Sequence, residues 1–282
     1  MMASVSRGYR GVASLLARYA LLVTVLALSI VPMLWMVSTA LKGPGDNIFS
    51  LPPRFWPAEP TLRNFTLVFQ TIPMWRYYFN SLVVVAATVT LTLVLSITAA
   101  FPLARMRFRG KQLLFFATLS TLMIPIQLTM IPNFIFVVQI GLRNSLWGVI
   151  LPNAVTAFGI FLIRQSMLTV PRALEEAAIV DGCGSLRVLF NVMLPMVKPA
   201  LAALAIFTFV NMWGDFLWPL LVLDDANLLT VPLGVQRLQG TFTTDWRLIS
   251  AGSILAMIPI LLFFVINQRH FIDGAISSAV KG

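Results

Sequence analysis

The sequence predicts an all-α integral membrane protein with six transmembrane helices, and three observations predict it. Of 282 residues, 59% are hydrophobic and 11% are charged, whereas charged residues supply about a quarter of an ordinary soluble domain. Mean hydropathy is +0.89. The apolar residues also fall into uncharged runs of the length, about 20 residues, that crosses a bilayer core. The net charge of +10 sits mostly in short segments between those runs. That fits the positive-inside bias of membrane proteins better than the basic face of a soluble nucleic-acid binder. The single cysteine, Cys183, permits no internal disulfide or cysteine metal site, and the single His270 removes a histidine cluster.

The first run, residues 19–41, follows Arg7, Arg10 and Arg18 and holds 23 uncharged residues. A signal peptide has a shorter apolar region, about 7–15 residues, and a small-residue cleavage site. This run ends in Ser38-Thr39-Ala40-Leu41-Lys42 and reads as a retained span. Residues 42–76 carry Pro44, Pro52, Pro53, Pro57 and Pro60 with Gly43 and Gly45, which predicts an irregular loop. Trp56, Trp75 and Tyr77 suit a membrane–water interface. The second span, 77–104, ends at Arg105-Met106-Arg107-Phe108-Arg109-Gly110-Lys111, with four positive charges in seven residues, the mark of a tight cytoplasmic turn. Residues 112–142 then run for 31 positions without a charge, too long for one straight span and too short for two. Pro125 and Pro132 divide them into a third span, 112–131, and a short or interfacial helix from Asn133 to Ile140. The fourth span, 146–163, is stopped by Arg164. A polar insertion fills 165–198. The fifth span, 199–223, has Asp215 as its only charge. After a second outer loop, 224–247, the sixth span covers 248–268.

Six spans put both termini on one side. Segments on that side hold 13 of the 20 Lys and Arg residues, and the opposite loops are longer. The bias places both termini in the cytoplasm. The whole chain, 1–282, reads as one transmembrane domain.

The insertion contains Leu174-Glu175-Glu176-Ala177-Ala178-Ile179-Val180-Asp181-Gly182, the most acidic local segment of the chain. Pro171 suits a first helical turn, and Thr169 can offer a capping oxygen. Ala173, Leu174, Ala177 and Ala178 favour a helix, and Glu175 and Glu176 suit its positive end. Asp181-Gly182 ends it, because glycine accepts the left-handed conformation of a C-terminal cap. Ser185 can cap a second short helix that reaches Pro195. The result is a knob: two alanines allow close approach, and the glutamates offer charge pairs. The same residue types fit an interfacial connector between spans four and five equally well.

The order Glu176-Ala177-Ala178, then Gly182, then Val192 and Leu194-Pro195 resembles the cytoplasmic loop signature of ABC importer permeases, with Val192 where isoleucine is commoner. The extended form from Pro171 to Asp181-Gly182 looks like the carbohydrate-uptake branch of type I importers, specifically the smaller permease of maltose- and glycerol-phosphate-type systems. Met123-Ile124-Pro125, Gly141-Leu142-Arg143-Asn144, Phe161-Leu162-Ile163-Arg164-Gln165, Phe216-Leu217-Trp218-Pro219-Leu220 and the tail from Gln268 agree with it. The resemblance implies a permease of a bacterial or archaeal plasma membrane. It would pair with a second homologous permease, two ATP-binding subunits and an extracytoplasmic solute-binding protein. It further implies that Glu175, Glu176, Ala177, Ala178, Asp181, Gly182, Leu194 and Pro195 form the loop that couples to the ATPase. The tail after His270 would also contact those subunits, and the 224–247 loop the solute-binding protein.

The residues are consistent with that division. Gly110-Lys111 is followed by Gln112, and Arg105 stands where a phosphate-binding loop needs its first glycine. ATP and magnesium would then be bound by the partner, with no cofactor, metal or catalytic residue on this chain. For the cargo, Asn211, Trp213, Asp215 and Trp218 are the candidates, since an ionisable group in a span marks a functional site by default. The alternative is a solvated Asp215 with interfacial tryptophans. Gln70, Gln127 and Asn133 have less support. A stand-alone secondary transporter would show inverted repeats and midplane charge, and neither is evident. The cargo itself is a sugar-like solute by resemblance, with glycerol phosphate or another polyol derivative as the runner-up.

Overall fold

A computed structural model describes the backbone of residues 2–240 and 244–279, with side chains at residue 15, 18–240 and 244–268. The described residues are helical and irregular, with no strand among them. In chain order they form α1 (Met2–Ala40), α2 (Arg63–Thr71), α3 (Met74–Arg105), α4 (Lys111–Ser120), α5 (Ile126–Gln139), α6 (Leu146–Asn153) and α7 (Ala157–Thr169). There follow α8 (Arg172–Val180), α9 (Ser185–Val188), α10 (Leu194–Met196), α11 (Lys198–Gly214), α12 (Leu217–Val222), α13 (Val231–Gln236) and α14 (Trp246–Ala279). A 3-10 turn, Thr121–Met123, follows α4, and a wide π turn, Leu189–Met193, joins α9 to α10.

Three stretches are long and apolar enough to cross a membrane unbroken: Arg18–Ala40, Met74–Arg105 and Trp246–Gln268. These match the first, second and sixth predicted spans. Three more qualify only as bent pairs: Lys111–Met123 with Ile126–Gln139 at 102°, Leu146–Asn153 with Ala157–Thr169 at 45°, and Ser185–Met196 with Lys198–Gly214 at 76°. Pro125 breaks the third stretch, with Ile124 held extended before it, but Pro132 lies inside α5. Arg164 does not stop the fourth stretch, because α7 continues to Thr169. The fifth is interrupted at Asp215, whose backbone is extended. The first outer loop, expected to be irregular, contains α2, and the second contains α13.

The chain forms two compact units: Met1–Ile72 with Arg237–Leu255, and Pro73–Gln236 with Ala256–Gly282. In the first unit, Asn64 Nδ2 donates to Ala40 O and Lys42 O at 2.7 and 2.9 Å, tying α2 to the end of α1. Each proline of the segment lacks a backbone donor, and side chains help to organise it. The two Asp46 carboxylate oxygens accept from Gly43 N and Ala58 N, and Arg247 donates to Asp46 O at 3.0 Å. The buried Lys42 ammonium lies 4.4 Å from the Trp35 ring centre.

The second unit is built around α3, which packs against α6, α7, α11 and α13. Its inner face carries buried Ser81, Thr88, Thr92, Ser96 and Ala100. Small residues at helical spacing let helices approach closely without a bulky apolar layer between them. Gly159 of α7 uses that closeness, since a Cβ there would collide with Ser96 Oγ. Where α3 begins, Asn80 donates to Asn227 O and Leu229 O, and Ser81 Oγ accepts from Val231 N. These bonds fold residues 224–236 onto the helix. Where α3 ends, an apolar cluster joins Phe101 and Ala104 to Ile163 and Met167 of α7 and to Val188, Leu189, Met193 and Val197.

Candidate functional site

Two places in the second unit collect the residues singled out by sequence. The first is α8 and the turn after it. Asp181 N donates to Ala177 O at 3.0 Å, Gly182 N to Ile179 O at 3.0 Å and Cys183 N to Ala178 O at 2.9 Å. Gly182 has φ +82°. This is a Schellman closure, and it needs a left-handed residue that glycine supplies without steric cost. The start of α8 is arranged differently from the prediction. Pro171 itself is the N-cap. Thr169 Oγ1 turns back to Ser166 O at 2.8 Å. Likewise Gly184, and not Ser185, caps α9.

No residue of α8 is buried. Glu176, Ala177, Ile179 and Val180 are exposed, while Glu175 and Ala178 are half-buried. The two adjacent glutamates therefore have different surroundings. Glu175 faces Arg105, with Oε2 3.5 Å from Nε, an ionic contact and not a directed hydrogen bond. Glu176 is displayed. Asp181 and Gly182 are exposed at the tip. Leu194 packs on the apolar cluster, and Pro195 is exposed on α10.

For three cations near α8 the sequence showed the charge but not the partners. Arg105 Nη2 lies 2.6 Å from Met167 O and 2.6 Å from Val170 O, closing the end of α7. Arg164 Nε donates to Leu103 O at 3.0 Å, and Lys111 Nζ to Ala104 O at 3.1 Å and Met106 O at 3.0 Å, closing the end of α3. The Arg164 guanidinium also stacks 3.7 Å from the Phe115 ring centre. Helix C-termini present unpaired carbonyls and partial negative charge, so cations belong there. A basic residue in a last turn was the available signal. It does not name the helix that the side chain caps.

The second place is a cleft of about 410 Å³. Its polar lining is Gln127 and Asn133 from α5, Asn153 from α6, Asn211 from α11, and Asp215 with Trp218. Asp215 Oδ1 accepts from Trp218 N at 3.4 Å, and the Trp218 indole donates to Gly148 O at 3.2 Å. The structure thus brings together Asn211, Asp215 and Trp218 with Gln127 and Asn133. Trp213 stands apart: it is 2% exposed, donates to Ala256 O at 3.0 Å and stacks with Phe209 and Tyr78. Its face of α11 is core. Gln70 lies on α2 in the first unit. Asn153 was missed, because it follows Pro152 in an apolar run with no charge to flag it.

Among the described residues, no three His, Cys, Asp or Glu side chains converge as a metal site. The tail from Arg269, expected to meet the ATPase, lies outside the residues whose side chains are described.

The family described as "Binding-protein-dependent transport system inner membrane component" matches residues 92–274. The arabinooligosaccharides transport system permease protein AraQ of Halalkalibacterium halodurans is 36% identical over 229 residues, which cover 81% of this chain and 82% of that protein. The sn-glycerol-3-phosphate transport system permease protein UgpE of Pectobacterium atrosepticum is 34% identical over 210 residues, 74% of this chain and 75% of that one. In fold, a chain from the crystal structure of a bacterial ABC transporter involved in the import of the acidic polysaccharide alginate superposes with a TM-score of 0.83 at 20% identity, over 91% of this chain and 95% of that one.

Proposed function

The chain belongs to the family of binding-protein-dependent transport system inner membrane components, and from that premise we propose how this permease subunit of an ABC importer divides the work with its partners. It forms half of the translocation pathway, and a second homologous permease forms the other half. Two ATP-binding subunits bind ATP and magnesium and carry out hydrolysis, and a solute-binding protein delivers the cargo. In this reading the three continuous helices, the two bent pairs before residue 170 and the stretch that begins with α11 make six spans with both termini in the cytoplasm. Residues 165–198 then face the ATPase. The observation that carries the proposal is α8 itself, a nine-residue helix with no buried residue, closed by a rigid glycine turn and displayed above capped helix ends. A helix this short does not persist alone in water; its turn and its base hold it ready for a partner. Glu176, Ala177, Ile179 and Val180 form the presented face.

Glu176→Lys and Gly182→Asp test the proposal. Each should abolish co-purification of the ATPase, or its coupling to uptake, while the permease still inserts in the membrane. Full ATP-driven uptake by both variants would refute it.

For the cargo, the cleft favours a neutral sugar or oligosaccharide. Its lining has four amides and one carboxylate and no Lys or Arg. Amides serve hydroxyl groups as donors and acceptors, and a lone carboxylate without a cation repels anions. The glycerol-phosphate reading rests on the likeness to UgpE. Calorimetric titration of the cognate solute-binding protein with neutral oligosaccharides and with glycerol phosphate separates the two. Selective binding of the phosphate would overturn the neutral-cargo assignment.

A further inference from the structure

The helix α8 is a short bar held at two points. At one end Ala178 and Cys183 pack against the apolar cluster that contains Leu189 and Met193. At the other, Glu175 faces Arg105. The Arg105 side chain is 5% exposed, that of Glu175 20%. Arg105 is the last residue of α3, and the same guanidinium lies 2.6 Å from each of two carbonyls that close α7. One planar group thus meets three elements. Lys111 and Arg164 are near but committed to α3 carbonyls, and among the described residues neither forms an ion pair with Glu175. Apart from the two-residue chain link to α7, the Arg105 contact ties the start of α8 to the end of α3.

We propose that Arg105 is a positioning residue whose guanidinium carries displacement of α8, through Glu175, to the ends of α3 and α7. From there the route into the bundle is short. Helix α3 packs on α6 and α11, and those two helices bring Asn153 and Asn211 to the cleft. Charge alone does not suffice for the task. Arginine presents several donors in a fixed plane and can hold carbonyls and a carboxylate at once, whereas a lysine ammonium is a point charge on a flexible stem. The proposal rests on α8 being the face that meets the ATPase, so assembly and transmission are read separately.

The test uses the full complex, expressed with its ATPase and second permease and placed in nanodiscs. Cys183→Ser removes the single native thiol, and Asn211→Cys places a reporter in the cleft. Maleimide labelling is timed with and without a non-hydrolysable ATP analogue and magnesium. The parent complex should show a nucleotide-dependent change in labelling rate. In Arg105→Lys and Glu175→Gln that change should shrink by about fivefold or more, the lower end of ordinary coupling between sites, with the ATPase still bound. Glu175→Asp should keep most of it. Combining Arg105→Lys with Glu175→Gln should add nothing to either alone, as expected for two residues on one route. An undiminished change in both single variants overturns the proposal. So does loss of the ATPase from both, which would make the pair a docking element instead. Failure of the parent permease to retain an ATPase would overturn the coupling reading of α8, and this inference with it.

Discussion

Beneath α8, Arg105, Lys111 and Arg164 all donate to helix-end carbonyls, and Arg105 also faces Glu175. Around the cleft the polar lining is four amides and one carboxylate, with no cation. Both regions belong to one unit and share α3 as a neighbour, yet they use polarity differently. At the loop end Arg105, Lys111, Arg164 and Glu175 each have a partner in the fold, and the arrangement ties three helices into one base. In the cleft two of the four amides are anchored locally. Asn211 donates to Phe207 O and Asn153 to Val149 O, each at the preceding turn of its own helix. Such bonds set side-chain direction without linking elements, so the cleft can change shape when helices shift. The contrast suits a machine in which force enters at a stiff end and is felt at a compliant one. Transport needs at least two packings of the spans, and a partner biases them only through contacts that differ between the two.

Substitutions at three positions sharpen or break this contrast. The largest effect is expected at the loop tip. Gly182→Val forces a β-branched residue into a left-handed conformation, which costs about 1–2 kcal/mol and undoes the Schellman closure. ATPase co-purification should be lost, while Gly182→Asn, which tolerates that conformation better, should retain part of it. Equal retention by both variants would show that the tip is not a rigid element. An intermediate effect is expected at Trp213. Trp213→Phe removes the indole bond to Ala256 O, at a cost of about 1 kcal/mol, and should lower the melting temperature of the purified permease. Cargo affinity in uptake assays should not move, because the side chain is core. A changed affinity with an unchanged melting temperature would return Trp213 to the pathway. The smallest structural effect is expected at Asp215. Asp215→Asn keeps an oxygen to accept from Trp218 N, so stability should shift by less than about 0.5 kcal/mol. A large drop in melting temperature would mean that the cleft, like the loop end, relies on charge to hold its helices.

Much of the fold was legible in the chain. Uncharged runs located α1, α3 and α14, because a bilayer core requires about 20 apolar residues whatever they pack against. Gly182 was legible too, since a helix end that needs a left-handed residue is a local demand. The candidate site was legible in part. The segment around Glu176 announced itself by charge, and Asn211, Asp215 and Trp218 by polarity within an apolar stretch. Trp213 did not sort itself from Trp218. Both are tryptophans in one run, and their roles follow from which neighbour receives the indole N–H: Ala256 in one case, Gly148 in the other. Pro125 and Pro132 pose the same problem, for one bends the chain and the other is absorbed within α5.

The sequence by itself determined that this is a helical membrane protein with a polar, glycine-closed knob between two of its apolar stretches. Hydrophobic length, local helix preference and turn chemistry act over a few residues and can be read in order. Tertiary structure alone decided that Glu175 faces inward and Glu176 outward. It decided that Arg105 closes α7, 62 and 65 positions away at Met167 and Val170, and that Gln127, Asn133, Asn153 and Asn211 share one cleft. The reason is physical: a carbonyl at a helix end accepts from any cation within reach, and only the packing of the helices determines which cation that is.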